Sequence, residues 1–346
     1  MGHLTASVYI PAYNAEKTIK ETINSLDISN YPEINFYILN DGSSDNTLTV
    51  LKSFESKNLI VIDLKKNNGQ DVVYNKIFSL SSTDITFIFH ADDVYDSRII
   101  IESIQLMEKN PSVGVCFSMS ENYFQFAPPQ FHNRNNKYIF YNKLNLLTDL
   151  SKYYNFIMTP SACIRTELVR GGRIQWGNTL LKPKLSQGVS GGDLQLWLDF
   201  AEVSNLAFIN QFLVKWRQHE EQLSKRSKKG LKTFSDFTAV MAFYTEKLTD
   251  GVNKKEIEYN LISVKFKECV IAKLNCILDK DAKMRAKNNA VLREIFFRFI
   301  QNLCLSKFAR KKYLKYLILF FIVTLVPFTL FPSLFYCIKK KYFLEY

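Results

Sequence analysis

Short apolar runs alternate with segments of helical spacing over about the first hundred residues of the chain. The runs have the length of strands and lie at Ser7–Ile10, Asn35–Leu39, Leu59–Asp63 and Ile85–Phe89. After the first run, Ile19, Ile23 and Leu26 recur at helical spacing. Asn14 is a candidate N-cap of that helix. This alternation of strand and helix predicts an α/β fold with a doubly wound, mostly parallel sheet.

The pattern changes beyond residue 110. Residues 111–160 are less regular, and Pro128–Lys137 is predicted to be a loop. The Gly/Ser-rich stretch Ser186–Gly192 predicts a turn before a helix from Asp193 through Glu202. A basic polar stretch, Lys225–Lys232, indicates a boundary. We therefore expect three parts: a domain over 1–225, a helical region over 226–312 and a hydrophobic tail over 313–346.

The tail contains an uncharged segment of 22 residues, Tyr316–Cys337. About 20 apolar residues suffice to cross a bilayer. Pro327 and Pro332 would kink such a span, and Lys/Arg residues flank both ends, which favours a cytoplasmic position for both. A kinked segment that dips into the membrane fits at least as well as a straight crossing, and a buried helix or a partner interface is the alternative. The tail is predicted to attach the chain to an anionic membrane surface.

Charge and cysteine usage narrow the function classes. The chain carries a net charge of +12, but residues 1–110 hold 9 Lys+Arg and 15 Asp+Glu, against 36 and 18 in the remainder. An acidic first part with a metal-type carboxylate cluster argues against nucleic acid as the partner. The six cysteines are scattered without a C-x-x-C pair, which fits reduced thiols in the cytosol.

Polar clusters follow three of the predicted strands. Pro11–Asn14 follows the first strand, Asn40–Asp45 the second and His90–Asp93 the fourth. Ligands of open α/β sheets bind outside the carboxyl ends of the strands, so the three clusters are expected to meet in one crevice. Each cluster alone is equally well explained as a turn or a helix cap. Three of them at strand ends, in order along the chain, favour a binding site.

Each cluster offers a specific chemistry. Tyr13 presents a flat ring on which a base can stack. Asp41 is an acceptor for the imide N–H of uracil or thymine, and Gly42 lets the chain turn behind it. Asp92 and Asp93 are hard oxygen ligands of the kind that hold Mg²⁺ or Mn²⁺ together with substrate phosphates.

The motifs resemble those of glycosyltransferase family 2. The resemblance rests on SVYIPAYN, LNDGSSDNT, NNG, FHADD, GGDLQLWLDFA and WRQHEEQLS, at residues 7–14, 39–47, 67–69, 89–93, 191–201 and 216–224. It covers residues 5 to about 225 and is specific in order and spacing. It implies a GT-A fold, a nucleotide-diphosphate sugar donor, a divalent cation (Mg²⁺ or Mn²⁺) and inversion at the anomeric carbon.

The resemblance also implies roles for individual residues. Asp193 would be the general base that deprotonates the acceptor hydroxyl, and Trp197 would pack the helix that carries it. Asp93 would bind the metal. The donor nucleotide would be held by Pro11, Tyr13, Asp41, Asp92, Arg217 and His219. Without the resemblance, Asp193 would be interpreted as the N-cap of its helix and Arg217 as a solvated cation.

Three positions depart from the family's usual residues. His90 stands where Asp is common, Gly192 where Glu is common, and Tyr74 where a basic residue is common. The segment Met158–Gly172 resembles an acceptor-side segment of the family, but no role follows for its individual residues. These departures affect metal ligation and donor choice most directly.

The function expected from these features is transfer of one sugar to a glycan acceptor. The tail suggests that the acceptor is polyprenyl-diphosphate-linked, as in bacterial surface polysaccharide assembly at the cytoplasmic face of the inner membrane. A Rossmann dehydrogenase is disfavoured because no G-x-G-x-x-G follows the first strand. A processive synthase is disfavoured because several membrane spans and a Q-x-x-R-W motif are missing. A nucleotide-sugar-binding or scaffold protein without catalysis is the remaining alternative.

Overall fold

The computed structural model describes residues 3–54, 56–121, 127–133, 135–177, 192–218, 232–249, 251–262 and 264. The chain divides into two compact units, 1–222 and 223–346. His219 and the apolar segment Tyr316–Cys337 lie outside the described residues. The boundaries predicted after residues 225 and 312 stay predictions.

The first unit contains an eight-stranded and a two-stranded sheet among its described residues. The strands are β1 Ala6–Ala12, β2 Asn35–Asn40, β3 Leu59–Asp63, β4 Ile85–Ile88, β5 Val94–Tyr95, β6 Val113–Met119, β7 Tyr138–Tyr141, β8 Ala162–Arg165, β9 Asn205–Phe212 and β10 Val214–Lys215. The first four coincide with the predicted apolar runs to within two residues at each end.

Helices connect the strands, with short 3-10 turns in several of the loops. Within the first unit they are α1 Ile19–Ser25, α2 Thr47–Lys52, α3 Gln70–Leu80, α4 Arg98–Lys109, α5 Lys143–Tyr153 and α6 Gly192–Val203. The apolar side chains predicted for α1, Ile19, Ile23 and Leu26, are buried against the sheet as part of its core. The helix expected from Asp193 through Glu202 is confirmed as α6.

The large sheet has the strand order β3-β2-β1-β4-β8-β6-β9-β7. Its first four strands are parallel, as predicted. The second half is mixed, because β8 runs antiparallel to both of its neighbours and β7 runs antiparallel to β9. The expectation of a mostly parallel sheet is therefore right for the first half and too simple for the second.

Residues 111–160 are more regular than their pattern predicts. They contain β6, β7 and α5, and only part of Pro128–Lys137 is a loop, with a 3-10 turn at Pro129–His132. Every residue of β6 is buried, so the strand lacks the alternation of apolar and polar positions that marks a half-exposed strand. Aromatic rings pack this half of the sheet, and Phe208 of β9 contacts Phe117, Phe131 and Phe156.

The second unit is described over two helical segments, α7 Lys232–Glu246 and residues 251–262. Phe237, Val240, Met241 and Tyr244 of α7 are buried, at the spacing of one helix face. In the part of the chain that the structure describes, no helix has both the length and the apolarity needed to cross a membrane.

Candidate active site

The candidate site lies where three neighbouring parallel strands end. In the sheet, β1 pairs with β2 on one side and β4 on the other. The loops that follow these strands carry Tyr13, Asp41 and the segment His90–Asp93. Since the strands are parallel, their carboxyl ends share one edge of the sheet. The predicted meeting of the three polar clusters is confirmed.

Side chains of the first two loops bind each other's backbone. The amide N–H of Asn14 donates to Ser43 Oγ at 3.0 Å, and Asn14 Oδ1 accepts from the Ser44 N–H at 2.9 Å. Glu16 and Asp45 form a second reciprocal pair, because Glu16 Oε2 accepts from the Asn46 N–H and the Glu16 N–H donates to Asp45 Oδ2. Asn14 is therefore a bridge between loops, and the expectation that it caps α1 is wrong; the cap position belongs to Thr18.

The third loop is attached to α1 through two threonines. Thr22 Oγ1 contacts the carbonyl oxygens of Ala91 and Asp93 at 3.0 and 2.8 Å, and Thr18 Oγ1 lies 2.9 Å from the Ala91 carbonyl oxygen. Thr22 is fully buried. These contacts hold the backbone of the Asp92–Asp93 pair in a fixed position relative to α1.

The predicted base-binding residues lie together but differ in access. The ring of Tyr13 is 49% exposed, whereas Asp41 is 5% exposed and Pro11 is half-buried. The Asp41 carboxylate accepts from the N–H and Nδ2 of Asn68 and from the N–H of Gly69, at 2.9, 2.9 and 3.1 Å. A carboxylate has about four acceptor sites, so one remains. Asp41 therefore positions the loop that contains Asn68 and Gly69, and its carboxylate can still accept one further hydrogen bond.

Gly42 is required by the close approach of two loops. It has a φ of +64°, and a Cβ at this position would lie 2.3 Å from the carbonyl carbon of Lys66. No L side chain fits such a contact without moving backbone. The expected turn is confirmed, and its purpose is to let the Lys66–Gly69 loop pass directly behind Asp41.

His90, Asp92 and Asp93 form a group that fits a divalent cation. One ligand atom from each lies within 4.8 Å of the other two. Asp93 is 1% exposed, and its Oδ2 is a buried oxygen without a hydrogen-bond partner among the described residues. A buried carboxylate oxygen is costly without a compensating charge or donor. The group can hold Mg²⁺ or Mn²⁺, with Asp93 supplying its buried Oδ2 as one of the oxygen ligands.

The pKa shifts of His90 and Asp93 are those expected of residues that bind a cation. Burial, and then the charge of Asp92, raise the pKa of Asp93 to about 8. The Arg217 N–H, which donates to Asp93 Oδ1 at 2.9 Å, opposes that rise. Burial lowers the pKa of His90, against the charges of Asp92 and Asp193. The lowered pKa of His90 favours its neutral imidazole, and a cation bound beside Asp93 would favour the ionised carboxylate.

Arg217 is placed beside this group by β10 and the residues that follow it. Its Nε donates to the Asp92 carbonyl oxygen at 2.9 Å, and its guanidinium forms an ion pair with Glu21 of α1. The two-stranded sheet of β5 and β10 brings Arg217 here, 124 residues after Asp93 in the chain. The expected role of Arg217 in holding the donor nucleotide is compatible with this placement, whereas His219 lies outside the described residues.

Asp193 lies in the first turn of α6 and is linked to the core by two hydrogen bonds in series. Trp197 Nε1 donates to Thr159 Oγ1 at 3.1 Å, and Thr159 Oγ1 donates to Asp193 Oδ2 at 3.2 Å. Asp193 Oδ1 also accepts from the Leu194 N–H at 2.7 Å. Burial raises the pKa of Asp193, and the contacts from Leu194 and Thr159 oppose that rise. The raised pKa brings the carboxylate closer to the range that suits a general base.

Asp193 is not the residue that precedes its helix. The helix begins at Gly192, so the Asp193 side chain is bound to an N–H of the first turn from inside that turn. The predicted burial of Trp197 is confirmed, and its ring packs edge-on against Phe117 with centroids 4.9 Å apart.

The three positions that depart from the usual family residues lie along one connected path. Tyr74 Oη is 2.9 Å from His90 Nε2, and the ring of Tyr74 packs on Trp176 with centroids 4.0 Å apart. A Cβ on Gly192 would lie 3.2 Å from Trp176 Nε1. The backbone of Trp176 is held by Asn75, whose side chain accepts from its N–H and donates to its carbonyl oxygen. Tyr74, His90 and Gly192 are therefore parts of a single packing arrangement around Trp176.

Sequence reasoning missed Thr159 and Trp176. Thr159 lies in the acceptor-side segment Met158–Gly172, and its one sequence signal is a hydroxyl three residues before the strand β8. Ser161 and Arg165 of the same segment serve the sheet, because they bind backbone groups of Ser118 and Val113. Trp176 had no local signal, since its contacts with Asn75 span 101 residues.

Comparison with known proteins identifies the family of the domain that contains this site. Residues 7–166 match the family model described as glycosyl transferase family 2. The chain contains a glycosyltransferase family 2 domain. The family 2 match covers all three strand-end loops and Thr159, and it ends before Asp193 and Arg217.

Curated relatives align with part of this domain. Poly-beta-1,6-N-acetyl-D-glucosamine synthase of Staphylococcus epidermidis is 31% identical over 109 residues, which make up 31% of this chain and 26% of that protein. The synthase of Staphylococcus aureus strain COL is 29% identical over 106 residues, 30% of this chain and 26% of that protein. The aligned part thus spans about a quarter of the length of these relatives.

Solved structures share the fold over most of the chain. Residues 1–349 of S. aureus TarS in complex with UDP-GlcNAc match with a TM-score of 0.58 at 18% identity, covering 86% of this chain and 92% of that one. The same TarS fragment in complex with UDP matches with a TM-score of 0.56 at 16% identity and the same coverage. At these identities the likeness establishes the fold that the family 2 domain adopts.

Proposed function

We propose that this chain is an inverting glycosyltransferase that moves one sugar from a nucleotide-diphosphate sugar to a hydroxyl of a glycan acceptor. The observation that carries the proposal is the pairing of two carboxylate sites around His90. On one side lies Asp93 Oδ2, a buried oxygen without a hydrogen-bond partner in the described part of the chain. On the other, Asp193 has a pKa raised by burial, and its charge acts on His90 together with that of Asp92.

The donor side is supported by the loops after β1 and β2. An exposed ring at Tyr13 and one remaining acceptor site on Asp41 suit a base with an imide N–H, which uracil has. UDP-GlcNAc is the first donor to test, because TarS was crystallised with it. Asp92 and Asp93 would hold a divalent cation, which neutralises charge on the leaving diphosphate when it is bound.

The acceptor side is supported by Asp193. Its carboxylate is positioned by Thr159 and by the first turn of α6, so it does not rotate freely. In the proposed reaction the acceptor hydroxyl gives its proton to Asp193 as its oxygen attacks the anomeric carbon. The nucleoside diphosphate leaves with the bonding electron pair. Arg217, next to the Asp92–Asp93 loop, adds positive charge on the diphosphate side.

The acceptor is proposed to be lipid-linked, with the enzyme at the cytoplasmic face of the inner membrane. The support is the uncharged segment Tyr316–Cys337 with basic residues on both sides. A soluble nucleotide sugar would reach the site from the cytoplasm, while a polyprenyl-diphosphate-linked glycan would arrive in the membrane plane. Fractionation of the full chain beside a variant truncated after Lys307 tests this placement. A full chain that stays soluble without detergent, or a truncated one that stays in the membrane fraction, would contradict it.

A second candidate function is nucleotide-sugar binding without transfer. It is favoured by Gly192, which cannot supply the carboxylate common next to the base, and by His90 in place of a third carboxylate. The two functions differ in turnover, since only an enzyme releases free nucleoside diphosphate, by transfer or by slow hydrolysis.

A panel of nucleotide sugars with Mn²⁺ tests the proposal in two steps. A ligand that binds the native state raises its melting temperature, so thermal shift identifies the donor. Release of nucleoside diphosphate from that donor then tests for turnover. Binding without any release, in the presence of membranes that contain the lipid-linked acceptor, would favour the second candidate. No thermal shift with any donor would contradict both.

A further inference from the structure

We propose that His90 supplies a nitrogen ligand to the cation of this site and that Tyr74 fixes its ring for that purpose. The inference rests on the proposed function, because it assumes that a divalent cation binds at Asp92 and Asp93. It goes further in assigning a mixed nitrogen and oxygen ligand set. The consequence is a different order of metal preference from the one that carboxylates alone would give.

The positions of the three side chains carry the first step. His90, Asp92 and Asp93 come from one short loop, and a ring nitrogen and two carboxylate oxygens lie within 4.8 Å of one another. That spread is suited to three ligands around a single ion, whose bonds to nitrogen and oxygen are about 2.0–2.2 Å long. Asp93 Oδ2, buried and unpartnered among the described residues, is an independent sign that the group has space for a charge.

The loop that carries His90 is held rigidly. The His90 N–H donates to Tyr95 Oη at 2.7 Å, and Tyr95 Oη donates in turn to the Pro160 carbonyl oxygen at 3.0 Å. At the other end of the loop, Thr22 Oγ1 binds the carbonyl oxygen of Asp93. A ligand set on a fixed backbone keeps its geometry without a cation present, which is the arrangement expected of a metal site.

The ring of His90 is oriented by Tyr74. Nε2 lies 2.9 Å from Tyr74 Oη, and Tyr74 is 2% exposed and packed against Trp176. Metal-ligating histidines commonly use one ring nitrogen for the ion and the other for a hydrogen bond that sets the tautomer. With Nε2 directed to Tyr74, Nδ1 is the nitrogen left for the cation. Tyr74 is a positioning residue in this arrangement and does not itself touch the ion.

An imidazole ligand changes which metals bind best. Nitrogen ligands favour metals such as Co²⁺, Fe²⁺ and Zn²⁺, whereas carboxylate and water ligands suit Mg²⁺. The ratio of Co²⁺ to Mg²⁺ affinity should therefore be higher for the native chain than for His90→Asp. In that variant the third ligand becomes an oxygen and preference moves toward Mg²⁺.

Pulsed electron paramagnetic resonance of Mn²⁺ bound to the full chain with UDP tests the inference directly. We expect nitrogen coupling from an imidazole in the native chain, its loss in His90→Asp with Mn²⁺ still bound, and its retention in the control His132→Asn. His132 is an exposed residue of the Pro129–His132 turn. Tyr74→Phe should keep the coupling and weaken metal binding about 10-fold, the lower limit for losing such a partner.

The outcomes separate this inference from the proposed function. Bound Mn²⁺ without nitrogen coupling in the native chain, or coupling that persists in His90→Asp, overturns the ligand role of His90 and leaves the cation site intact. If no Mn²⁺ binds the native chain with UDP, the cation site itself is wrong, and this inference fails with it.

Discussion

The two halves of the large sheet build their parts of the site in different ways. On the half formed by β3, β2, β1 and β4, the site residues follow directly after parallel strands, and their loops bind each other's backbone. On the mixed half, Asp193 reaches the site from a helix and is held by Thr159, which comes from a turn 34 residues earlier. The first construction depends on local chain order, and the second depends on packing between distant segments.

The difference has a consequence for how each half tolerates change. In the parallel half, a loop such as Asn40–Asp45 is bound at several points to its neighbour, so a single substitution removes one contact of many. In the mixed half, the position of Asp193 depends on a short series of partners that ends at Trp197. We therefore expect substitutions in the parallel half to act through ligand binding, and those in the mixed half to act through turnover and its pH dependence.

The largest effect is expected at Asp93. Asp93→Ala should abolish activity while the fold survives, because it removes the cation ligand in the parallel half. Loss of a metal's charge stabilisation costs several kcal/mol, or about 10³-fold in rate or more. Asp93→Asn is the matched variant, since its amide oxygen can still accept from the Arg217 N–H. Release of nucleoside diphosphate measures activity, and circular dichroism checks the fold.

Two results would contradict this role of Asp93. Activity of the Asp93→Ala variant would contradict the assignment of Asp93 as a cation ligand. Full activity of the native chain in excess chelator would remove the metal requirement as well.

A smaller loss is expected when the base in the mixed half is changed. Asp193→Asn keeps the shape and the acceptor oxygen for the Leu194 N–H but cannot take a proton. General-base catalysis contributes about 10²–10⁴-fold, so turnover should fall by that factor. Donor affinity, measured by thermal shift or calorimetry, should stay nearly unchanged. Unaffected turnover would mean that Asp193 only satisfies the first turn of its helix.

The parallel half is also the half that its sequence predicts best. Its strands are short apolar runs bounded by polar turns, and each site residue lies within a few positions of a strand end, as with Asp41 after Asn40. Parallel pairing then brings the loops together without further information. The exception is Asn14, whose sequence position suits a helix cap but whose side chain bridges two loops, and no local pattern distinguishes these uses.

The mixed half was predicted less well for physical reasons. The strand β6 is buried on both faces and therefore has no alternation to detect. Thr159 and Trp176 owe their positions to contacts over 34 and 101 residues. The departures at Tyr74, His90 and Gly192 could be seen one by one in the sequence, but their connection through Trp176 exists only in the folded chain.

The next effect in size is a pH dependence of stability that arises from Asp93 in the parallel half. Burial raises the pKa of Asp93 from the ordinary value of 3.8 to about 8. A carboxyl whose pKa is higher in the folded state than in the unfolded state stabilises the folded protein. This contribution is fully present below the pKa of the unfolded state and is lost as the pH rises through the pKa of the folded state. Without metal, the unfolding free energy of the native chain should fall by roughly 3–5 kcal/mol between about pH 5 and pH 9 through this group.

Asp93→Asn is the control for this loss, because its amide does not titrate. Its unfolding free energy should decline less than that of the native chain over the same pH range in chelator. Mn²⁺ with UDP should restore the native chain at the alkaline end, since a cation stabilises the ionised carboxylate. Parallel pH curves for the native chain and Asp93→Asn in chelator would show that Asp93 is ionised without metal.

The smallest expected effect concerns Thr159 in the mixed half. Its hydroxyl donates to Asp193 Oδ2 and lowers the pKa of that carboxyl against the effect of burial. Thr159→Val removes the donor at similar volume, so the pKa of Asp193 should rise and the acidic limb of the pH–rate profile should move to higher pH. One weak hydrogen bond to a carboxylate amounts to about half a pKa unit. Thr159→Ser keeps the hydroxyl and should leave the limb in place, while the plateau rate at higher pH should change little in either variant. A purely structural role of Thr159 would lower the plateau in Thr159→Val without moving the limb, because the position of Asp193 would be lost rather than its proton affinity.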